Sequence, residues 1–191
     1  MNKIIMMMSV SVDGFFEGPE HEIGWHLVDD ELHAHFNDWL AETAVFLEGR
    51  VTYELMAGFW PTADADPDAS RTIVDFARIW RDTPKVVYSR TLASAEGNAT
   101  IVREIVPADV LALKAKADGD LVVGGADVDA TFLRHDLIDE IRLYVHPVVL
   151  GRGRPLFQGS DAPIALRLAE TRAFGNGVVL LRYARPAADH G

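Results

Sequence analysis

Three turns of the sequence combine glycines, arginines and hydroxyl groups in a pattern suited to binding phosphate. The first lies in residues 121–128, where a buried-strand pattern runs into Gly124 and Gly125 and then into a helix. Paired glycines let the backbone approach a diphosphate closely, and the free N–H groups of a helix start meet its charge. A tight turn that binds no ligand is the alternative interpretation of this segment.

The other two turns add basic and hydroxyl side chains after buried-strand patterns. One contains Gly49, Arg50 and Thr52, and the other contains Ser89 and Arg90. An arginine fork binds phosphate through two parallel hydrogen bonds, and a hydroxyl beside a helix start adds a donor. A solvated arginine on a loop is the alternative at either place. Three similar turns together predict a site for a phosphorylated nucleotide at the ends of neighbouring strands.

The elements that must position these turns follow from hydrophobic patterning. Apolar runs without alternation, typical of strands buried on both faces, cover residues 4–12, 44–47, 86–88, 121–123 and 141–150. Helical periodicity and end signals predict helices over residues 29–42, 69–82, 107–117 and 127–135. This alternation predicts an α/β fold with parallel strands and helices on both faces of the sheet.

The C-terminal part of the sequence changes character. Two strand-like runs, residues 165–174 and 178–184, flank a glycine-rich turn and predict an antiparallel hairpin. Residues 62–70 read as a surface loop. We expect one domain over residues 1–185 and a flexible tail over residues 186–191.

Composition excludes several classes of function. The chain has 191 residues, with 29 acidic residues against 18 lysines and arginines, for a formal net charge of −11. Non-specific binding to nucleic acid or to an anionic membrane requires a basic surface, so neither partner is expected. The absence of cysteine removes disulfides and thiolate chemistry and fits a reducing cytoplasm. The seven histidines form no His-Glu-x-x-His pattern, and no metal site is expected.

A Gly-x-Gly-x-x-Gly fingerprint does not follow any predicted strand, which disfavours a standard Rossmann dinucleotide site. The order and spacing of the motifs instead resemble the dihydrofolate reductase-like superfamily, in particular bacterial proteins similar to the reductase domain of riboflavin biosynthesis. The resemblance rests on residues 9–14, 49–54, 88–90, 123–125 and 146–153. It implies a three-layer dihydrofolate reductase-like fold, with a mostly parallel central sheet and a C-terminal antiparallel hairpin, and hydride transfer from NADPH.

The resemblance also implies roles for the residues of the second and third turns. Gly49, Arg50 and Thr52 match the family segment that holds the adenosine-side phosphates, with Arg50 as a partner of the 2′-phosphate. Ser89 and Arg90 match the segment beside the adenine ribose, where Arg90 is a second candidate partner of that phosphate.

The first turn corresponds to the family's pyrophosphate cradle. Gly124, Gly125 and the helix start that includes Val128 match this turn. Dihydrofolate reductase has a third glycine and a basic residue at the next two positions, where this sequence has Ala126 and Asp127. The resemblance therefore leaves backbone N–H groups as the donors expected to bind the diphosphate.

The expected catalytic residue is Asp30. It stands five positions after Trp25, the spacing at which dihydrofolate reductase carries the acidic residue that hydrogen-bonds and helps to protonate the pterin. Counting back from Gly49 instead places His33 at that position. A third interpretation is that Asp29 and Asp30 simply cap the helix that follows.

The expected substrate-binding residues are Asp13 and four residues of an apolar and aromatic wall, Trp25, Tyr53, Met56 and Trp60. The acidic and arginine residues that serve the phosphorylated substrate of the riboflavin-pathway reductase are absent after Thr52, so the wall suits a flat ring without a phosphate.

These features predict an NADPH-dependent reductase of a small heterocyclic or conjugated substrate, pterin-like or pyrimidine-like. Two alternatives remain: a reductase of 5-amino-6-(5-phosphoribosylamino)uracil, and a nucleotide-binding protein without turnover. Residues 141–150 and the C-terminal hairpin offer an apolar edge, which by analogy of fold predicts a homodimer.

Overall fold

The computed structural model describes residues 2–157 and 162–186, and strands and helices alternate along most of its length. Its strands are β1 (Ile4–Ser11), β2 (Phe15–Glu17), β3 (Val45–Gly49), β4 (Lys85–Tyr88), β5 (Ala99–Val102), β6 (Leu121–Gly124), β7 (Glu140–His146), β8 (Arg154–Pro155), β9 (Arg167–Ala173) and β10 (Val179–Ala184). Its α-helices are α1 (Asp30–Leu40), α2 (Arg50–Ala57), α3 (Arg71–Asp82), α4 (Pro107–Lys116) and α5 (Ala126–Arg134). A 3₁₀ helix covers Trp60–Ala65.

Eight strands form the central sheet, in the order β5-β4-β3-β6-β1-β7-β10-β9. All neighbours from β5 to β7 pair in parallel, whereas β10 pairs antiparallel with both β7 and β9. The predicted fold, a mostly parallel sheet closed by a C-terminal antiparallel hairpin, is therefore confirmed. The parallel strands all run in one direction, so the residues that follow them meet at the carboxyl end of the sheet. These strands include β1, β3, β4, β6 and β7.

Helices cover both faces of this sheet and create three layers. Phe46 and Val122 pack with the apolar residues of α1, α2 and α3. The residues that follow them, Leu47 and Val123, point to the other face and pack with α4 and α5. This alternation explains why the strand patterns are apolar without a break, since both faces of each central strand are buried.

Some element boundaries differ from the prediction, for local reasons. The strand predicted over residues 141–150 ends at His146, because Pro147 has no N–H to continue the ladder. Residues 62–70, predicted as a loop, begin inside the 3₁₀ helix. The short strands β2, β5 and β8 were not predicted. β2 has three residues and β8 has two, which is too few to show a periodic pattern.

The hairpin ends the sheet at an exposed edge. Every residue of β9 is exposed, and the turn before β10 contains Gly177 at φ +87°, a conformation that favours glycine. Among the described helices, none is long and apolar enough to cross a membrane. Of the tail predicted over residues 186–191, residues 187–191 lie outside the described part of the chain.

Candidate functional site

Two of the three predicted turns touch each other at the carboxyl end of the sheet, after the neighbouring strands β3 and β6. Gly125 has φ +111°, and a Cβ atom on it would lie 2.7 Å from the Thr52 Oγ1 and 3.6 Å from the Gly49 backbone nitrogen. A Cβ on Gly49 would in turn lie 3.1 Å from the Cγ2 of Val128. The close approach leaves no room for a side chain at Gly125, and it brings Gly49, Thr52, Gly125 and Val128 into one group.

The helix starts at these two turns have backbone donors without side-chain caps. Gly49 precedes α2 and Gly125 precedes α5, and neither position supplies a side-chain hydrogen bond to the helix. The first N–H groups of a helix have no partners within it, and they bind anions readily. Two such starts side by side, with glycines between them, form a cradle that fits the diphosphate of a dinucleotide.

The third turn follows β4, directly beside the turn of Gly49. Ser89 is buried, and its Oγ accepts hydrogen bonds from the N–H groups of Thr91 at 3.3 Å and Leu92 at 2.9 Å. The Arg103 guanidinium donates to the carbonyls of Ser89 at 2.9 Å and Leu92 at 2.7 Å. Ser89 therefore shapes the turn through its own side chain, and the exposed Arg90 is left facing solvent.

Charged side chains around the cradle include one that the sequence did not single out. Arg50 Nη1 lies 2.7 Å from the Glu54 Oε2 on the exposed side of α2. Arg154, on β8, lies 3.1 Å from the carboxylate of Asp127 and 2.9 Å from that of Glu17. Arg154 therefore neutralises the acidic charge at position 127, and it belongs to a strand whose pairing with β2 no local pattern reveals.

Asp13 joins the loops that follow β1 and β7. Its carboxylate accepts hydrogen bonds from the Ser11 hydroxyl at 2.7 Å and from the N–H groups of Leu150 at 3.1 Å and Gly151 at 2.7 Å. These bonds, that of Ser11 foremost, hold the pKa of Asp13 below its ordinary value. The predicted substrate contact of Asp13 stays a prediction, and the structure gives this residue a role in ordering two loops of the site.

Trp25 lies in an aromatic cluster with two histidines that were not among the predicted site residues. The rings of His26 and His146 stack with centroids 5.0 Å apart, and Trp25 meets them edge-on at 4.3 Å and 5.6 Å. His146 is fully buried, and its Nδ1 accepts the N–H of Leu27 at 3.0 Å. Burial, together with His26, lowers the pKa of His146 to about 4. Burial also lowers the pKa of His26, so the uncharged form of both rings is favoured.

The C-terminal hairpin holds the segment before α1 in place. The side-chain amide of Asn176 donates to the Leu27 carbonyl at 2.9 Å, and the N–H of Gly175 donates to the Glu31 carboxylate at 2.8 Å. Leu27 is thus bonded on both sides, to β7 through His146 and to the turn between β9 and β10.

The two aspartates at the start of α1 have different roles. Asp29 is the cap, since its Oδ1 accepts the N–H of Leu32 at 3.0 Å. Asp30 instead accepts the Thr72 hydroxyl at 3.0 Å and ties α1 to α3. His33, the alternative candidate, is buried, and its ring lies 5.7 Å from that of Trp60. Asp30 and His33 thus lie on the same helix, one turn apart.

Tyr53 lies deeper than the other residues of the predicted wall. It is only 6% exposed and packs in the apolar cluster between the sheet and α3, and its hydroxyl accepts the N–H of Glu96 at 2.8 Å. Tyr53 therefore belongs to the core cluster, and its predicted substrate contact stays a prediction. Met56 and Trp60 are half-buried at the margin of the same cluster, where they present apolar surface.

Potential metal ligands are not grouped in this part of the protein. Within residues 2–157 and 162–186, no three His, Asp or Glu side chains are arranged to hold a metal ion. The donors that do converge on the strand ends are backbone N–H groups, hydroxyls and arginines, which suit an anion.

An eight-stranded, mostly parallel sheet with touching glycine turns at adjacent strand ends defines a dihydrofolate reductase-like α/β protein. The sequence places it further: residues 2–180 match the model of the RibD C-terminal domain, and the chain belongs to this family of reductase domains. It is also 34% identical over 182 residues to the uncharacterized protein YyaP of Bacillus subtilis (strain 168), covering 95% of this chain and 94% of YyaP.

Solved structures share the fold at low sequence identity. A proposed riboflavin biosynthesis protein of Shewanella sp. PV-4 is 20% identical, with a TM-score of 0.75 over 97% of this chain and 99% of that chain. A pyrimidine reductase-like protein of Corynebacterium diphtheriae is 13% identical, with a TM-score of 0.68 over 97% of this chain and 92% of that one. At such identities these likenesses show the fold alone.

Proposed function

We propose that this protein is an NADPH-dependent reductase of a small heterocyclic or conjugated substrate. The contact between the turns of Gly49–Thr52 and Gly125 carries the proposal, because it brings two uncapped helix starts together at adjacent strand ends. Membership of a reductase domain family supports the same conclusion. NADPH, when bound, supplies a hydride, and the protein supplies its position and electrostatic surroundings.

The two exposed arginines would distinguish NADPH from NADH. Arg50 and Arg90 follow adjacent strands, and both side chains are accessible to a 2′-phosphate. Arg50 would exchange its exposed ion pair with Glu54 for the phosphate, and such pairs contribute little in water. Arg103 would act indirectly, by fixing the backbone of the turn that presents Arg90.

The substrate side favours a flat ring. Trp25, Met56 and Trp60 offer apolar surface beside the strand ends, and the pyrimidine reductase-like relative in fold makes a pyrimidine or pterin a reasonable class. Asp30 would hydrogen-bond the ring and help to protonate it. The proposed reaction would take place in the cytoplasm.

We expect NADPH, but not NADH, to stabilise the protein strongly against heat. A ligand at 100 times its dissociation constant adds about 2.7 kcal/mol to the free energy of unfolding. R90A should lower NADPH affinity by about tenfold, since hydrogen bonds to charged groups contribute about 1.5–3 kcal/mol. The readout is thermal melting with each dinucleotide.

The matched control is R71A, which removes another exposed arginine, at the start of α3. It should leave the NADPH-induced shift unchanged. Equal shifts with NADPH and NADH would contradict the roles of Arg50 and Arg90, and no shift with either would contradict the cofactor itself.

Turnover is tested by NADPH oxidation over a panel of pterins, pyrimidines and enones. Activity confined to 5-amino-6-(5-phosphoribosylamino)uracil would favour the riboflavin-pathway alternative, and binding without turnover would favour a non-catalytic protein. Asp30→Asn should reduce whatever activity is found. An unchanged rate would remove Asp30 from the reaction.

We also propose a homodimer formed by the apolar face of β7 and the C-terminal hairpin. Among the described residues, Leu143, Val145, Leu181 and Tyr183 lie on this face and are half-buried, and three of them also contact the core cluster beneath α4 and α5. A second copy would bury these side chains. Leu181→Glu should convert a dimer to a monomer in analytical ultracentrifugation. The control is Leu111→Glu, at an exposed position of α4, which should leave the dimer intact. A monomeric wild-type protein would contradict the proposal.

A further inference from the structure

A buried carboxylic acid lies beside the cradle, and the function proposed above gives it no role. Glu48 is the residue before Gly49 on β3, and it is only 5% exposed. Its register partners are Val87 on β4 and Gly124 on β6, so it lies in the middle of the site-bearing strands. The side chain sits at the carboxyl end of the sheet, where ligands of open α/β sheets bind.

Gly124 leaves an open space next to this acid. A Cβ atom on Gly124 would meet no heavy atom within 4 Å. Partners in register point their side chains to the same face, and the pair two residues earlier, Phe46 and Val122, shares one apolar cluster on that face. The space over Gly124 therefore opens on the side of the sheet where Glu48 lies.

The carboxyl group of Glu48 lacks a complete set of partners. Among the described residues, its Oε2 is buried and accepts or donates no hydrogen bond. Lys85, on β4, is the charged group that acts on it, but the ammonium of Lys85 is bonded to the carbonyls of Trp80 and Thr83 and to Asn98. Burial, only partly opposed by Lys85, raises the pKa of Glu48 to about 8.

We propose that Glu48 contacts the nicotinamide end of the cofactor in the space over Gly124 and binds its oxidised form preferentially when ionised. This proposal rests on the proposed function. The adenosine end is assigned to the turn after β4, so the nicotinamide end extends toward β6 and β1. The oxidised ring is a cation and the reduced ring is neutral, so a carboxylate beside it attracts only the oxidised form.

The proposal is tested by the dissociation constants of NADP⁺ and NADPH between pH 6 and pH 9. In the wild-type protein, the ratio of NADP⁺ to NADPH affinity should rise by about tenfold as Glu48 ionises. The release of one proton can change an affinity by up to about tenfold per pH unit, so a rise of this size is attainable. Taking the ratio cancels the titration of the 2′-phosphate, which both dinucleotides carry. Lys85 is present in both proteins, so the rise should be largely lost in Glu48→Gln.

Asp129→Asn is the matched control. Asp129 is another buried acid without a side-chain partner among the described residues, but it belongs to α5, in the layer on the opposite face of the sheet. This variant should keep the pH-dependent ratio. Loss of the dependence in Asp129→Asn, or its persistence in Glu48→Gln, would overturn the proposal.

A second measurement needs no variant. Calorimetry at pH 7.5 in buffers of different ionisation enthalpy should show proton release when the wild-type protein binds NADP⁺ and none beyond the baseline when it binds NADPH. Equal proton release with both would overturn the role of Glu48 and leave the cofactor assignment intact. Absence of binding by both dinucleotides would overturn the proposed function and this inference together.

Discussion

Glu48→Gln should make the protein more stable than the wild type at pH 9 by about 3 kcal/mol and leave stability at pH 4.5 nearly unchanged. Burial raises the pKa of Glu48 from 4.5 to about 8. Between these values the unfolded chain releases a proton that the folded protein retains, so the free energy of unfolding falls as pH rises. Each pKa unit corresponds to about 1.4 kcal/mol, and loss of the attraction between the Glu48 carboxylate and Lys85 offsets part of the gain.

Urea unfolding at pH 4.5, 7 and 9 measures this effect. Glu42→Gln is the control, because Glu42 is exposed and its replacement should leave the pH dependence of the wild type unaltered. Parallel pH profiles for Glu48→Gln and the wild type would show that the Glu48 carboxyl is not held in its protonated form.

Glu140→Ala should destabilise the protein by about 3–5 kcal/mol, the usual cost of removing one partner from a buried ion pair. Glu140 is 1% exposed at the start of β7, and its carboxylate lies 2.8 Å from both the Lys3 ammonium and the Arg142 guanidinium. Arg142 is largely buried and also lies over the ring of Trp39. Removing Glu140 leaves this arginine without its charge partner in the core.

The same ion pairs predict sensitivity to acid. Burial raises the pKa of Glu140, but hydrogen bonds from Lys3 and Arg142 outweigh it and hold the pKa below 4.5. The stability that Glu140 contributes is therefore present above its unfolded pKa and lost as pH falls through the folded one. Denaturation of the wild type and of Glu140→Ala at pH 7 and pH 3 measures both effects. A difference of less than 1 kcal/mol at pH 7 would contradict the structural role.

The sequence predicted the fold well because burial on both faces leaves a strong local signal. Uninterrupted apolar runs identified the long parallel strands, and the glycines at 175 and 177 identified the hairpin. β8 escaped prediction because it is two residues long and exists through its pairing with β2. Arg154, which that pairing brings to the cradle, could not have been selected by spacing from its neighbours.

The candidate site residues likewise divide into those with a local sequence signal and those whose position depends on the folded structure. Gly125 and Thr52 were selected from local motifs, and their contact depends only on β3 and β6 being neighbours. Tyr53 was predicted for the substrate wall, and helix α2 turns its ring into the apolar cluster between the sheet and α3. Glu48 gave no signal as a separate group, because one acid at the end of an apolar run does not reveal whether it is exposed.

The bonds from the hairpin turn to the segment before α1 affect the order in which the protein can be assembled. Asn176 and Gly175 bind Leu27 and Glu31 across 149 and 144 positions of sequence. On a ribosome, residues 27–31 emerge long before the turn that fixes them. The glycine cradle can form from β3 and β6 alone, while the substrate side must wait for β10, so long-range contacts complete it last. A nascent chain of this protein would form the proposed phosphate cradle before the proposed substrate side.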